Sequence, residues 1–259
     1  MVDLASFWVG DRLGPIEIAS LQSFLRHGDR ITLFSPTPLA DLPPGVIWRD
    51  ANGIFPSRRI LRYRANGSPA LHADLFRYAL LAQTDMIWVD LDIIALRPFA
   101  YASPWIFGYE GSSTVNNAVL RLPESSDTLR LLQQFQPDTV GLPPFMSGFR
   151  RFKYQLRTFG RGMSIERWPW GATGPRGLTH FLRLTGEISH ALPVSAFYAI
   201  SKDDAGRFLV PGALRASDLP SDAWCVHLWA KELRQELRRH HHGQVPAGSF
   251  LDLAIRGEL

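Results

Sequence analysis

One stretch constrains this chain more than any other. Met86-Ile87-Trp88-Val89 is a short, continuously apolar run that ends on Asp90-Leu91-Asp92. Such a run reads as a strand of a parallel sheet covered on both faces. Ending it on two carboxylates one residue apart places two hard oxygen donors at the carboxyl end of the strand, where open α/β sheets bind ligands. Two carboxylates from one loop suit a divalent cation that keeps coordination positions free for phosphate oxygens. Taken alone, Asp-x-Asp reads as well as a solvated turn at a strand end. Upstream, Asp74, Arg77 and Leu81 recur three and four apart and share one face of a helix running from Pro69 to about Gln83.

The surrounding pattern gives that strand its architecture. Ser6-Phe7-Trp8-Val9, closed by Gly10, suits a first buried strand. Pro15 opens a helix with Ile18, Leu21, Phe24 and Leu25 at helical spacing and Gly28 at the C-terminal cap. Ile31-Thr32-Leu33-Phe34 reads as a second strand, and Pro36 to Pro44 as a loop. Strands alternating with helices predict an α/β fold with a mostly parallel mixed central sheet flanked by helices. Further on, 105–109 and 118–122 read as strands. A helix capped by Ser125 or Ser126 runs to Phe135, a proline-broken loop covers 137–145, a short helix 176–184, and a basic helix 231–242.

No clean linker divides the 259 residues, so one domain is expected over 1–259. The front half, to about 110, carries the nucleotide-binding features, and 111–259 completes the site. The single cysteine, Cys225, excludes an internal disulfide framework and a cysteine-rich zinc site. No apolar run reaches the ~18 residues of a membrane span. The start, Met1-Val2-Asp3-Leu4, lacks the basic region of a secretory leader, and the cytoplasm is the expected location. A net charge of +4 suits nucleotides, phosphates or an anionic membrane face, and is also ordinary for a chain this long. There is no Gly-x-Ser-x-Gly elbow, no Walker phosphate loop and no His-Glu-x-x-His, and nothing beyond net charge points to nucleic acid.

Other candidates have two readings each. Asp74 and Arg77 form either a surface ion pair or part of a binding site. Asn116 and Asn117, placed ahead of a strand, recognise sugar hydroxyls through their amides or make a turn. Thr173-Gly174-Pro175 is a loop of close backbone approach or an ordinary turn. His227, in the apolar Cys225-Val226-His227-Leu228-Trp229, is a core histidine or a ligand. Lys231 neutralises a phosphate or is solvated. Trp168, Trp170 and Trp229 stack on a ring or pack inside. His240-His241-His242 and the arginines 234, 238 and 239 read best as a solvated face, with contact to an anionic membrane as the alternative.

In this order and spacing, Asp74-x-x-Arg77, Asp90-x-Asp92, Asn116-Asn117-Ala118-Val119, Thr173-Gly174-Pro175 and Val226-His227-Leu228-Trp229 resemble the Asp-x-Asp glycosyltransferases. Family 32, with its mannosyl-, galactosyl- and capsule-forming members, is the nearest match. Phe7-Trp8-Val9-Gly10 stands where that family has its first strand, and Ser20 to Gly28 where it has its first helix. The chain departs from it at Gln83-Thr84-Asp85, where a Gly-Gly pair is usual. The resemblance implies a GT-A-type, Rossmann-like fold and a retaining transferase using Mn2+ or Mg2+. It implies a UDP-hexose or similar nucleoside diphosphate sugar as donor and a glycan or glycolipid hydroxyl as acceptor. Carried over by position, Asp74, Arg77, Asp90, Asn116, Asn117, Gly174 and Lys231 face the donor. Asp90, Asp92 and His227 hold the metal. No catalytic base is assigned, although Asp138, Glu166 and Glu187 are available carboxylates. A non-catalytic sugar-nucleotide or glycan binder, or a metal-dependent phosphohydrolase, is the alternative.

Overall fold

The computed structural model describes residues 2–259; Met1, counted in the expected front half, lies outside the described residues. The first half builds a parallel sheet. Strand β1 (Asp3–Phe7) leads through helix α1 (Pro15–Arg26) to β2 (Arg30–Ser35) and β3 (Ile47–Asp50), and α2 (Ala70–Gln83) leads to β4 (Ile87–Val89). The short β5 (Ile93–Ala95) follows. Two further strands, β6 (Ile106–Tyr109) and β7 (Val115–Arg121), complete a six-stranded sheet of order β3-β2-β1-β4-β7-β6. The first four are mutually parallel, while β7 runs antiparallel to β4 and β6 antiparallel to β7.

The rest of the chain packs around this sheet. It comprises α3 (Asp127–Leu132), β8 (Val140–Gly141), α4 (Gly148–Arg157), β9 (Met163–Ser164), α5 (Pro175–Thr185) and α6 (Val194–Phe197), then β10 (Cys225–His227), α7 (Ala230–His240) and α8 (Phe250–Arg256). β10 pairs antiparallel with β5, and β8 with β9, as two separate ribbons.

The helix ends follow from local chemistry. Pro15 occupies the first turn of α1, and the Glu17 carboxylate accepts the Gly14 N–H at 3.0 Å. The Ser126 hydroxyl accepts Leu129 N–H at 3.0 Å to start α3. At the end of α2, where the expected Gly-Gly is absent, Thr84 makes the turn. Its hydroxyl donates to Leu80 O at 3.0 Å and accepts Met86 N–H at 3.3 Å.

Ile87 to Val89 are buried because the sheet is covered on both faces, with Met86 half-buried just ahead of the strand. Trp88 packs with Phe7, Phe76 and Leu120 on the side of α2, α3 and α5. Ile87 and Val89 pack with Leu21, Phe24 and Ile31 on the side of α1. A third cluster joins Ile16 and Ala19 of α1 to Leu233 of α7 and Leu251 of α8.

Several boundaries differ from the sequence reading. The first strand covers 3–7 rather than 6–9, because its limits are set by pairing with β2 and by the Asp3–Arg30 ion pair that ties the polar start into the sheet. Asn116 and Asn117 lie within β7 rather than ahead of it. The expected 137–145 loop contains β8, and the helix expected to reach Phe135 ends at Leu132. β3, β5 and α4 were not anticipated.

Candidate functional site

β1 and β4 are neighbours whose connections run to opposite sides of the sheet, β1 to β2 and β3, β4 to β7. Such a reversal opens a crevice beyond the carboxyl ends of the two strands. A cavity of approximately 860 Å³ lies there. Trp8 and Val9 reach it from the end of β1, Asp90 and Asp92 from the end of β4, and Asp74 and Arg77 from α2. Asn116 and Asn117 of β7 line it, as do His227 and the first turns of α7.

The site is built around Arg77, which is almost wholly buried. Its Nη1 donates to Asp74 Oδ1 and its Nη2 to Asp90 Oδ1, each at 2.7 Å. The guanidinium also lies 4.4 Å from the centre of the Trp88 ring. Asp74 is saturated from inside the fold. Thr173 Oγ1 donates to its Oδ2 at 2.8 Å and Asn117 Nδ2 to its Oδ1 at 2.9 Å. Gly174 completes the enclosure, since a Cβ there would stand 3.0 Å from Asp74 Oδ2. Burial pushes the Asp74 carboxyl up, and Arg77, Thr173 and Asn117 work against that rise.

Asp90, Asp92 and His227 form the second part. Their ligand atoms all lie within 4.8 Å of one another. Asp90 takes Arg77 Nη2 and Trp88 Nε1 (2.6 Å), both on Oδ1. Asp92 Oδ1 lies 3.2 Å from His227 Nε2, and its Oδ2 accepts Ala230 N–H at 2.9 Å, at the amino end of α7. His227 is brought in by pairing of β10 with β5, where it stands opposite Ile93. The Asp92 backbone carbonyl holds the same segment by accepting Leu228 N–H at 2.8 Å. His227 Nδ1 is buried without a hydrogen-bond partner among the described residues.

The charges of the trio are mutually dependent. Burial pushes the Asp90 carboxyl up; Arg77 opposes this, and the charge on Asp92 adds to it. Burial also disfavours the Asp92 carboxylate, but His227, the Ala230 N–H and Arg234 outweigh it and hold the group below the usual range. Burial likewise opposes charge on His227, yet Asp92 and Asp90 push its pKa up. Two carboxylates and an imidazole carrying a buried, unpartnered nitrogen are a donor set that fits a divalent cation.

The cavity lining also carries cationic and aromatic groups. Lys231 is exposed, with Nζ 5.8 Å from the centre of the Trp170 ring. Arg176 lies over Phe145 at 4.4 Å, and Lys202 pairs with Glu232 at 3.1 Å. Trp170 and Trp229 line the cavity. Trp168 does not: it is buried, and its Nε1 donates to Gly141 O at 3.1 Å. Trp229 has φ 56, a left-handed backbone at a bulky residue, with its ring 4.1 Å from that of His227.

The three available carboxylates fall elsewhere. Glu166 pairs with Arg59 at 2.6 Å. Glu187 accepts the Ser126 hydroxyl and the Asp127 N–H, each at 2.8 Å, and so caps α3. Asp138 is exposed away from the cavity. Besides Glu232, two acids that sequence reasoning missed do line the cavity. Glu110, just past β6, accepts Asn116 Nδ2 at 2.6 Å. Glu17 of α1 pairs with Arg234, which removes that arginine from the free basic face expected of α7. Position three of a helix gave Glu17 a capping role, and nothing local marked either acid as a cavity group.

No family model matches the chain, and no curated protein matches it. Among solved structures it is similar to the PaToxG glycosyltransferase, with a TM-score of 0.44 and 12% identity over 70% of this chain and 68% of that one. It is also similar to the apo structure of the bifunctional glycosyltransferase WbbM, with a TM-score of 0.39 and 13% identity over 99% of this chain. The match spans about half of WbbM, 51% of its length. Overlaps this loose carry no function across.

Proposed function

We propose that the chain is an Asp-x-Asp glycosyltransferase of GT-A type, nearest in its motifs to family 32. In this reading it moves a hexose from a UDP-linked or similar nucleoside diphosphate sugar to a glycan or glycolipid hydroxyl, with retention. One observation carries it. Asp90, Asp92 and His227 converge at the carboxyl end of β4, inside a cavity that also holds Lys231 and Arg176.

Asp90, Asp92 and His227 would hold the divalent cation, and the imidazole favours Mn2+ over Mg2+, which prefers oxygen ligands. When bound, that ion offsets the charge of a diphosphate leaving group. The chain supplies the rest. Arg77 fixes Asp90 in one orientation, with one prong of its guanidinium on Asp90 and the other on Asp74. Lys231 and Arg176 add positive charge for phosphate oxygens, while Trp8, Trp170 and Trp229 offer flat apolar surface to a base or sugar ring. Asn116 and Glu110 present a hydrogen-bonding pair to sugar hydroxyls. Asn117 and Gly174 act one step back, by seating Asp74. Residues up to about 110 supply Trp8, Arg77 and the two acids at the end of β4, and later residues complete the donor side and close the site.

The test is turnover of purified protein with Mn2+ and a panel of UDP- and GDP-sugars, reading the released product. Release of nucleoside diphosphate, abolished in Asp92→Asn, supports transfer chemistry. Release of nucleoside monophosphate and sugar 1-phosphate points to a phosphohydrolase and overturns it. Binding without turnover makes the protein a sugar-nucleotide binder and overturns it as well.

A further inference from the structure

Helix α4 has no buried residue. A ten-residue helix in water is marginal unless one face is packed. Here only Tyr154 and Thr158 are half-buried, Tyr154 resting on the core beside α3 and α5. At about 100° per residue, Phe149, Phe152 and Leu156 fall on the opposite side of the helix. They are 80%, 55% and 62% exposed, and Phe159, just beyond the helix, is 92% exposed. No other part of the described surface gathers so many large apolar side chains.

The same segment is strongly basic. Arg150, Arg151, Lys153, Arg157 and Arg161 lie among these apolar side chains, and 147–162 contains no aspartate or glutamate. Exposed aromatic and aliphatic groups on one helix face, with cations along its flanks, match the boundary between headgroups and acyl chains of an anionic bilayer. The phenylalanines would enter the apolar layer while the arginine and lysine stems reach back to phosphates. The α4 excursion starts beside the cavity, where Phe145 lies under Arg176. By contrast α7, the basic helix for which the sequence kept membrane contact only as the alternative to a solvated face, turns Ala230, Leu233 and Leu237 inward. It engages Arg234 with Glu17 and carries acids of its own at 232 and 236.

We propose that α4 and the following turn are a membrane-docking element that seats the protein on an anionic lipid surface. The element needs neither nucleotide nor metal, so its test is separate from that of the transferase reading.

The experiment is co-sedimentation of the full chain with phosphatidylcholine vesicles, with and without phosphatidylglycerol. Wild-type protein is expected to partition onto the anionic vesicles and to be released by salt. Phe149→Ser/Phe152→Ser and, separately, Arg150→Glu/Arg157→Glu are expected to lower the partition coefficient at least about tenfold. Both variants should keep the wild-type melting temperature, since the altered side chains face solvent. The control Arg238→Glu/Arg239→Glu is expected to bind as wild type. Equal binding to neutral and anionic vesicles, or α4 variants that bind undiminished, would overturn the proposal. So would light scattering that shows a dimer dissolved by Phe149→Ser/Phe152→Ser, because a second copy of the chain would then be the occupant.

Discussion

Arg77 Nη2 lies 2.7 Å from Asp90 Oδ1, and this contact couples the helix before β4 to the first acid after it. The other prong of the same guanidinium is spent on Asp74. Arg77→Ala would strand two carboxylates around a buried gap, and removing one partner of such a pair costs about 3–5 kcal/mol. Urea unfolding should show that loss as a lower midpoint. Arg77→Lys keeps the charge but not the planar fork. It should recover part of the stability and still bind nucleotide sugar more weakly than wild type. Equal midpoints for wild type and Arg77→Ala would refute this account of the pair.

Asp92→Asn tests the metal site separately from the fold. An amide oxygen still accepts the Ala230 N–H, so the start of α7 keeps its anchor. The charge facing His227 and the cation is gone. Titration calorimetry with UDP should show Mn2+-assisted affinity reduced at least about tenfold, with metal-free affinity little changed.

His72 predicts a pH dependence of stability. Its ring lies 5.3 Å from both Phe7 and Phe55, and burial pushes its pKa down to about 4, from 6.5 in an unfolded chain. Between those values the unfolded chain binds the extra proton and the folded one does not. The contribution is therefore complete above about pH 6.5 and is lost as pH falls toward about 4. Stability measured by urea at several pH values should fall across that window. In His72→Gln the fall should be shallower by up to about 1.4 kcal/mol per pH unit, the slope set by one proton.

Gly174→Ala should be costly for a reason of space. The added methyl would lie 3.0 Å and 3.2 Å from the two Asp74 carboxylate oxygens and 3.3 Å from Asn117 Nδ2. Overpacking of this kind costs about 1–3 kcal/mol. Because the displaced group is the partner of Arg77, donor affinity should drop along with the melting temperature. A variant that melts as wild type would show that the loop yields freely.

Much of the frame was legible in the chain. Ile87 to Val89 could be read as a buried strand because a short apolar run bounded by polar residues suits a strand covered on both sides. Pro15 marked a helix start because proline lacks the N–H that a first turn leaves unused. β5 and α4 were hidden for different reasons. β5 and β10 are three residues long and exist through pairing with each other. α4 exposes its apolar side, so the expected inward pattern had no core to match.

Asp90, Asp92 and Arg77 could be picked out because their spacing places them on one strand end and one helix face, both matters of local geometry. Their partners obey no local rule. Glu110 reaches the cavity only through the β6–β7 hairpin, and Thr173 reaches Asp74 from 99 positions away. His227 stood in an apolar context that equally described a core histidine; the β5–β10 pairing alone brings it within 3.2 Å of Asp92. The sequence by itself determined which side chains have the chemistry for a cation and a phosphate, and the parallel sheet that presents two of them. Tertiary structure decided which of them meet, because ligation and ion pairing act over a few ångströms and only the packed chain brings distant residues that close.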